Sequence, residues 1–328
     1  MTTYIIRRLF TAIFVLLSIA FFTIALFFGA SKDPARAMCG KPCAPDTLAK
    51  VRAYMQTDHG IVWQYIEFVK GLFVGRSYGS GSQAVHCAAP CFGYSFPNQS
   101  DVTTLIVERL PVTLSLTIGA AILCLVVGLG LGALSAIRKG GVLDRFSTGF
   151  AMLGLSVPTF LVGLLVVQFF GFTLNMLPYS GFVPLSENPS EWLWHLIGPW
   201  MVLSFILAAG YIRVTRTQLL GELSSEHLVA MTARGAAPSR INAHALRGVM
   251  IPVVAMFALD VAALLGGSVI AERVFSLHGL GDLLLSGVNE SDLSLVVGVT
   301  LFSAFLIIIG NLVADLLMPL LDPRIRRA

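Results

Sequence analysis

Asp260 is the residue whose placement most suggests chemistry, a lone carboxylate inside an apolar run over 248–271. A charge at that depth in a membrane is costly unless it faces protein or water. It therefore either lines a polar pathway or sits hydrogen-bonded at a helix contact, and the sequence leaves both readings open. Four cysteines form two C-x3-C pairs, Cys39 with Cys43 and Cys87 with Cys91, and a fifth, Cys124, lies in another apolar run. Zinc knuckles use tighter pairs and added histidines, so no metal site is predicted. The four paired cysteines are disulfide candidates, with three possible connectivities. Cys124 reads as a small buried hydrophobe. The chain has no G-x4-G-K-[ST] phosphate loop, no H-E-x-x-H and no G-x-S-x-G. No catalytic residue, and no enzyme activity of its own, is predicted.

The elements that must hold these residues follow from composition. Of 328 residues, 56% are hydrophobic and 12% charged, and the mean hydropathy is +0.81. Soluble domains carry about 25% charged residues. A chain with half that cannot cover its own surface with polar groups, so membrane lipid must cover part of it. A spanning helix needs roughly 20 apolar residues. Runs of that length lie at 9–31, 110–137, 146–186, 192–212, 248–271 and 293–314, which predicts six spans. Asn175 and Pro178 place the end of the third helix near Thr173, and Pro158 predicts a kink inside it. The first run exceeds the length of a signal-peptide core, so it reads as a retained helix.

Lysine and arginine set the orientation. Arg7, Arg8, Arg138, Lys139, Arg145, Arg213, Arg216, Arg234, Arg240 and Arg247 fall on one side together with Arg324, Arg326 and Arg327, while the opposite short loops hold only Arg273. Both termini are expected in the cytoplasm, and the cysteine-bearing segment outside. The net charge of +4 is this positive-inside bias, and no nucleic-acid partner is implied. The predicted organisation is residues 1–31 as tail and first helix, 32–108 as a small extracytoplasmic segment, 109–317 as the helical core, and 318–328 as a cytoplasmic tail. Within 32–108, helical spacing covers 45–70, and the Gly- and Ser-rich stretch from Gly75 to Ser100 reads as a loop pinned by a disulfide. Trp192, Trp194 and Trp200, with His195, suit an interfacial belt. Asn311 and Asp315 read as structural.

The longest cytoplasmic loop spans about 213–247. Apolar residues repeat at helical spacing from Gln218 to Arg234, and Gly235 followed by Pro238 marks a helix stop. A short helix over 225–235 is expected, with Leu228 and Met231 as an apolar face left for a partner. Glycines at 128, 130, 132, 149, 154, 163, 266 and 267 suit close helix packing or helices that shift around a pathway.

Several motifs carry a resemblance. They include Tyr4-Ile5-Ile6-Arg7-Arg8-Leu9, Arg109-Leu110-Pro111-Val112-Thr113-Leu114, Leu143-Asp144-Arg145, Leu155-Ser156-Val157-Pro158-Thr159-Phe160, Arg213-Val214-Thr215-Arg216 and Val274-Phe275-Ser276-Leu277-His278-Gly279. In their order and spacing the chain resembles the permease subunits of bacterial ABC importers, the binding-protein-dependent inner-membrane component family. More narrowly it is similar to the first permease of dipeptide and oligopeptide systems. The family's E-A-A-x3-G loop has its counterpart in Val229-Ala230-Met231-Thr232-Ala233-Arg234-Gly235, where the Glu and second Ala are replaced and the Gly is kept. The segment over 79–93 has no counterpart in the usual pattern.

The resemblance implies an all-α integral membrane protein with an ABC importer permease core, in a bacterial inner membrane. It implies import of dipeptides or oligopeptides by alternating access, or of nickel, glutathione or another small solute in close relatives. Its partners would be a second permease, two ATPase subunits that bind ATP and Mg, and an external substrate-binding protein, with no cofactor in this chain. Coupling to the ATPase would fall to Glu226, Leu228, Ala230, Met231, Ala233, Arg234, Gly235 and Arg240. The pathway would involve Asp260, Ser156 and Pro158. A proton-driven secondary transporter would need inverted repeats and more intramembrane ionisable groups, and neither is found.

Overall fold

The computed structural model describes residues 2–30, 35–36, 44–55, 59–78 and 85–321. Cys39 and Cys43 and the tail beyond 321 lie outside the described residues. The chain divides into two compact units, one formed by residues 1–111 with 279–308, the other by 112–278 with 309–328.

In the first unit α1 (Thr2–Ala30) packs against α3 (Ile61–Val74), preceded by α2 (Pro45–Met55). Ala20, Ile24, Phe68, Val297 and Leu301 form the buried core there. In the described parts of the Gly- and Ser-rich stretch, short paired strands stand where composition led to a loop. β1 (Arg76–Tyr78) pairs antiparallel with β2 (Val85–Cys87), and β3 (Tyr94–Ser95) with β4 (Ser100–Asp101). Strands of two or three residues are too short to leave a periodic signal. A disulfide joins Cys87 to Cys91, and both sulfurs sit in a small core with Val51 and Tyr78. The unit is completed by the start of α4 (Val102–Ile137), by α11 (Leu280–Asn289) and by most of α12 (Leu293–Leu321). Val102, Ile106, Leu283, Leu295 and Val299 are buried together.

The second unit contains the rest of α4, then α5 (Val142–Ser156) and α6 (Thr159–Val166), which runs on as a π-helical stretch over Val167–Thr173. Next come α7 (Pro189–Leu223), α8 (Glu226–Ala233), α9 (Pro238–Leu265) and α10 (Val269–Val274). α7 is the central post, packed against α5 and α9. Glycines let α4 approach it closely. A Cβ at Gly119 would lie inside the Trp200 indole, and one at Gly128 would meet the Tyr211 side chain. By contrast Gly130 and Gly149 face open space. Cys124 is buried and free, in a cluster with Tyr211, Leu219, Leu228, Ala245 and Val249.

Five described helices are long and apolar enough to span a membrane, and a sixth span results if α5 and α6 count as one. Those two meet at 106°, so the expected kink is a break between two helices. Pro158 begins a new helix here: it is the N-cap of α6, with extended backbone. The residue before a proline is pushed out of the helical region, and Val157 is extended accordingly. The expected stop at Thr173 coincides with the end of the π-helical stretch. The fifth apolar run is also divided. α9 stops at Leu265, and Gly267, at φ 113°, turns the chain into α10.

Candidate functional site: a short helix beside two carboxylate nodes

The loop between the fourth and fifth apolar runs is built from α7, α8 and α9. The periodic stretch from Gln218 is two helices, because α7 ends at Leu223 and the chain turns at Ser224 and Ser225. The hydroxyl of Ser225 donates to the Glu222 carbonyl at 2.6 Å, which satisfies one of the free carbonyls at the end of α7. α8 then runs for eight residues. Its end is a Schellman motif: the Gly235 N–H donates to the Thr232 carbonyl and the Ala236 N–H to the Met231 carbonyl. Gly235 has φ 78°, a conformation that costs a residue with a Cβ about 1 kcal/mol. Pro238 stands in the first turn of α9, where its missing N–H is no loss.

The face of α8 differs from the expected one. Leu228 is 1% exposed and packs with Leu219, Ala245 and Val249, and Met231 packs against the same cluster. Leu228 therefore seats α8 on α7 and α9 and is not left for a partner, while Met231 packs beside it but stays partly exposed. Outward lie Glu226, Val229, Ala230, Ala233 and Arg234, with Gly235 and Arg240 also exposed. Val229, 56% exposed, was not singled out from sequence. Its signal is its position three residues after Glu226 and four before Ala233, on the same helical face.

Asp260 lies on α9 and accepts a hydrogen bond from the Tyr211 hydroxyl of α7 at 2.7 Å. Ser156 and Pro158 sit exposed at the break between α5 and α6, and the Ser156 hydroxyl donates to the Met152 carbonyl of its own helix. Among the described residues no hydrogen bond or ring contact joins either of them to Asp260. A second carboxylate, which the sequence shows only as part of the Leu143-Asp144-Arg145 motif, binds the same C-terminal half of α7 at Arg216. Asp144, in the first turn of α5, accepts from Arg216 Nε at 2.7 Å and Nη2 at 3.1 Å. It also accepts from the Ser135 hydroxyl and the Gly140 N–H. Bidentate Arg–carboxylate pairing fixes orientation as well as distance, so this node ties the α4–α5 turn to α7. A third carboxylate, Glu272 of α10, is fully buried and accepts from the Thr113 hydroxyl of α4 at 3.0 Å. Among the described residues no group of three or more His, Cys, Asp or Glu could hold a metal ion.

Comparison with known proteins agrees with this architecture. Residues 1–117 match the N-terminal family of binding-protein-dependent transport system membrane components. Residues 128–327 match the binding-protein-dependent transport system inner membrane component family. The chain is 32% identical over 329 residues to the dipeptide transport system permease protein DppB of Lactococcus lactis subsp. cremoris, covering 99% of this chain and 100% of the relative. It is 31% identical to the oligopeptide transport system permease protein AppB of Bacillus subtilis, with 99% of each covered. To the dipeptide transport system permease protein DppB of Escherichia coli the identity is 30% over 351 residues, again with 99% of each covered. Among solved structures, an inward facing conformation of the MetNI methionine ABC transporter shares the fold at a TM-score of 0.53 and 19% identity, covering 70% of this chain and 99% of that one. The chain is a multi-pass membrane protein and belongs to the family of binding-protein-dependent transport system inner membrane components, the permease subunits of ABC-type importers.

Proposed function

We propose that this chain is one permease of an ATP-driven importer of dipeptides or oligopeptides. The observation that carries the substrate class is likeness over 99% of the chain to relatives named for dipeptide and oligopeptide transport. The permease works beside a second, similar permease. An external binding protein delivers the peptide, and two ATPase subunits bind ATP and Mg and supply the energy. Both termini and α8 face the cytoplasm, a reading supported by the arginine-rich loops on that side.

The outward face of α8, formed by Glu226, Val229, Ala230, Ala233 and Arg234, is the seat for an ATPase subunit. Arg240, exposed just beyond the turn, extends it. Leu228 and Met231 do the complementary task of fixing α8 to α7 and α9. A push on α8 then moves α7 and α9 as rigid bodies, and with them the Tyr211–Asp260 contact. Asp260 borders the pathway, where its unused acceptor capacity can receive a peptide N–H or ammonium group.

The test is reconstitution of the complex in proteoliposomes with the cognate binding protein. ATP-dependent uptake of a labelled dipeptide is expected, with unlabelled peptides competing and nickel or glutathione not competing. Uptake of either of those in place of peptide would reassign the substrate.

A further inference from the structure

A cleft of about 260 Å³ opens between α5 and α7, lined by Thr148, Met152, Leu155, Arg213, Arg216 and Thr217 among others. Its composition is split. Met152 and Leu155 are 66% and 51% exposed and give it an apolar wall. The opposite end is basic. Arg213 is exposed and, among the described residues, has no hydrogen-bond or ion-pair partner. Arg216 spends Nε and Nη2 on Asp144, which neutralises it. The unbalanced charge is therefore that of Arg213. The Thr148 and Thr217 hydroxyls add donors.

The cleft also lies at a definite depth. Residues 192–212 of α7 carry no charge and span about 30 Å, the thickness of the hydrocarbon core. Arg213 is the first charge beyond them. The contact of Arg216 with Asp144, in the first turn of α5, sets the cleft beside the turn that carries Arg138 and Lys139. We propose that this cleft binds the headgroup of an anionic phospholipid, with the phosphate on Arg213 and an acyl chain along Met152 and Leu155. A guanidinium fork matches a phosphate oxygen pair, and basic pockets between spanning helices at this depth suit anionic lipid headgroups. The proposal rests on the membrane-spanning fold and on no particular transported solute.

The test is native mass spectrometry of the full chain in neutral detergent, with phosphatidylglycerol and phosphatidylcholine supplied together. The wild-type chain is expected to retain phosphatidylglycerol at least about fivefold better, the size one interfacial arginine supplies. Arg213→Gln is expected to abolish the preference and Arg213→Lys to keep most of it. Arg138→Gln, outside the cleft, should leave it within about twofold. Equal retention of the two lipids by the wild type, or an undiminished preference in Arg213→Gln, overturns the proposal. So does displacement by millimolar inorganic phosphate as complete as that by excess lipid, which would mark a simple anion site. A photo-crosslinker replacing Met152 gives a measurement independent of Arg213. In the assembled complex it should label lipid, and capture of a protein subunit instead would assign the cleft to an interface.

Discussion

Two carboxylates hold neighbouring side chains in the C-terminal half of α7, Asp144 at Arg216 and Asp260 at Tyr211, and they are bonded very differently. Asp144 receives four donors, from Ser135, Gly140 and two nitrogens of Arg216. Its side chain is 8% exposed. An ionised carboxylate offers about four acceptor sites, so Asp144 is saturated and charge-paired. Asp260 receives one donor, from Tyr211, and is half-buried. One node is a clamp. The other keeps acceptor capacity in a place where free capacity is costly, and the pathway role proposed for Asp260 rests on that difference.

The sharpest way to break this contrast is to remove the clamp. Asp144→Ala leaves Arg216 partly buried without its partner. We expect a loss of about 2–4 kcal/mol, somewhat below the range for a fully buried pair because the Arg216 side chain is 28% exposed. Thermal unfolding in detergent measures it, and a loss under about 1 kcal/mol would mean that the node is not a clamp. Next in size is Gly128→Ala, whose new Cβ meets Tyr211. Overpacking at such a contact costs roughly 1–3 kcal/mol, and transport should fall with it because Tyr211 carries the bond to Asp260. A change in stability with full transport would separate the two.

Smaller still in stability is Tyr211→Phe, which removes one hydrogen bond, about 0.5–1.5 kcal/mol. The informative reading here is transport. Asp260→Asn keeps a polar group and should alter uptake modestly, while Asp260→Leu should impair it more. Full uptake by Asp260→Leu would make Asp260 incidental. A similarly small effect on folding is expected for Gly235→Ala. The site has room for a Cβ, with no atom within 4 Å, and the cost of about 1 kcal/mol is the left-handed backbone alone. Circular dichroism should show an unchanged fold, and ATP hydrolysis without matching uptake would place the defect in coupling.

Much of the architecture was legible because spanning helices are set by local composition. The six apolar runs and the stop at Gly235 are properties of neighbouring residues. The break at Pro158 was visible as a kink, but its 106° angle depends on what α5 and α6 pack against. Leu228 was assigned to the wrong partner for a similar reason. An apolar stripe on a short helix shows that something covers it, not that the cover is Ala245 and Val249 of the next helix. Asp144 stands in a motif of the resemblance, Leu143-Asp144-Arg145, but no role follows from it there, since a charge beside a basic loop is ordinary. Its meaning comes from Arg216, 72 residues away. Asp260 was conspicuous because its neighbours are apolar, yet its partner Tyr211, 49 residues distant, was not foreseeable.

The most direct measurement is dipeptide accumulation in proteoliposomes holding the full complex, with ATP on the ATPase side, comparing wild type with Val229→Asp. Val229 is exposed on the outer face of α8, so the change leaves the fold intact while placing a charge in the expected ATPase seat. Wild-type accumulation should require both ATP and the binding protein, and the variant should lose accumulation together with co-purifying ATPase subunits. Undiminished accumulation by the variant, or wild-type accumulation driven by a proton gradient without ATP, would contradict the assignment of this chain as an ATP-coupled permease working through α8.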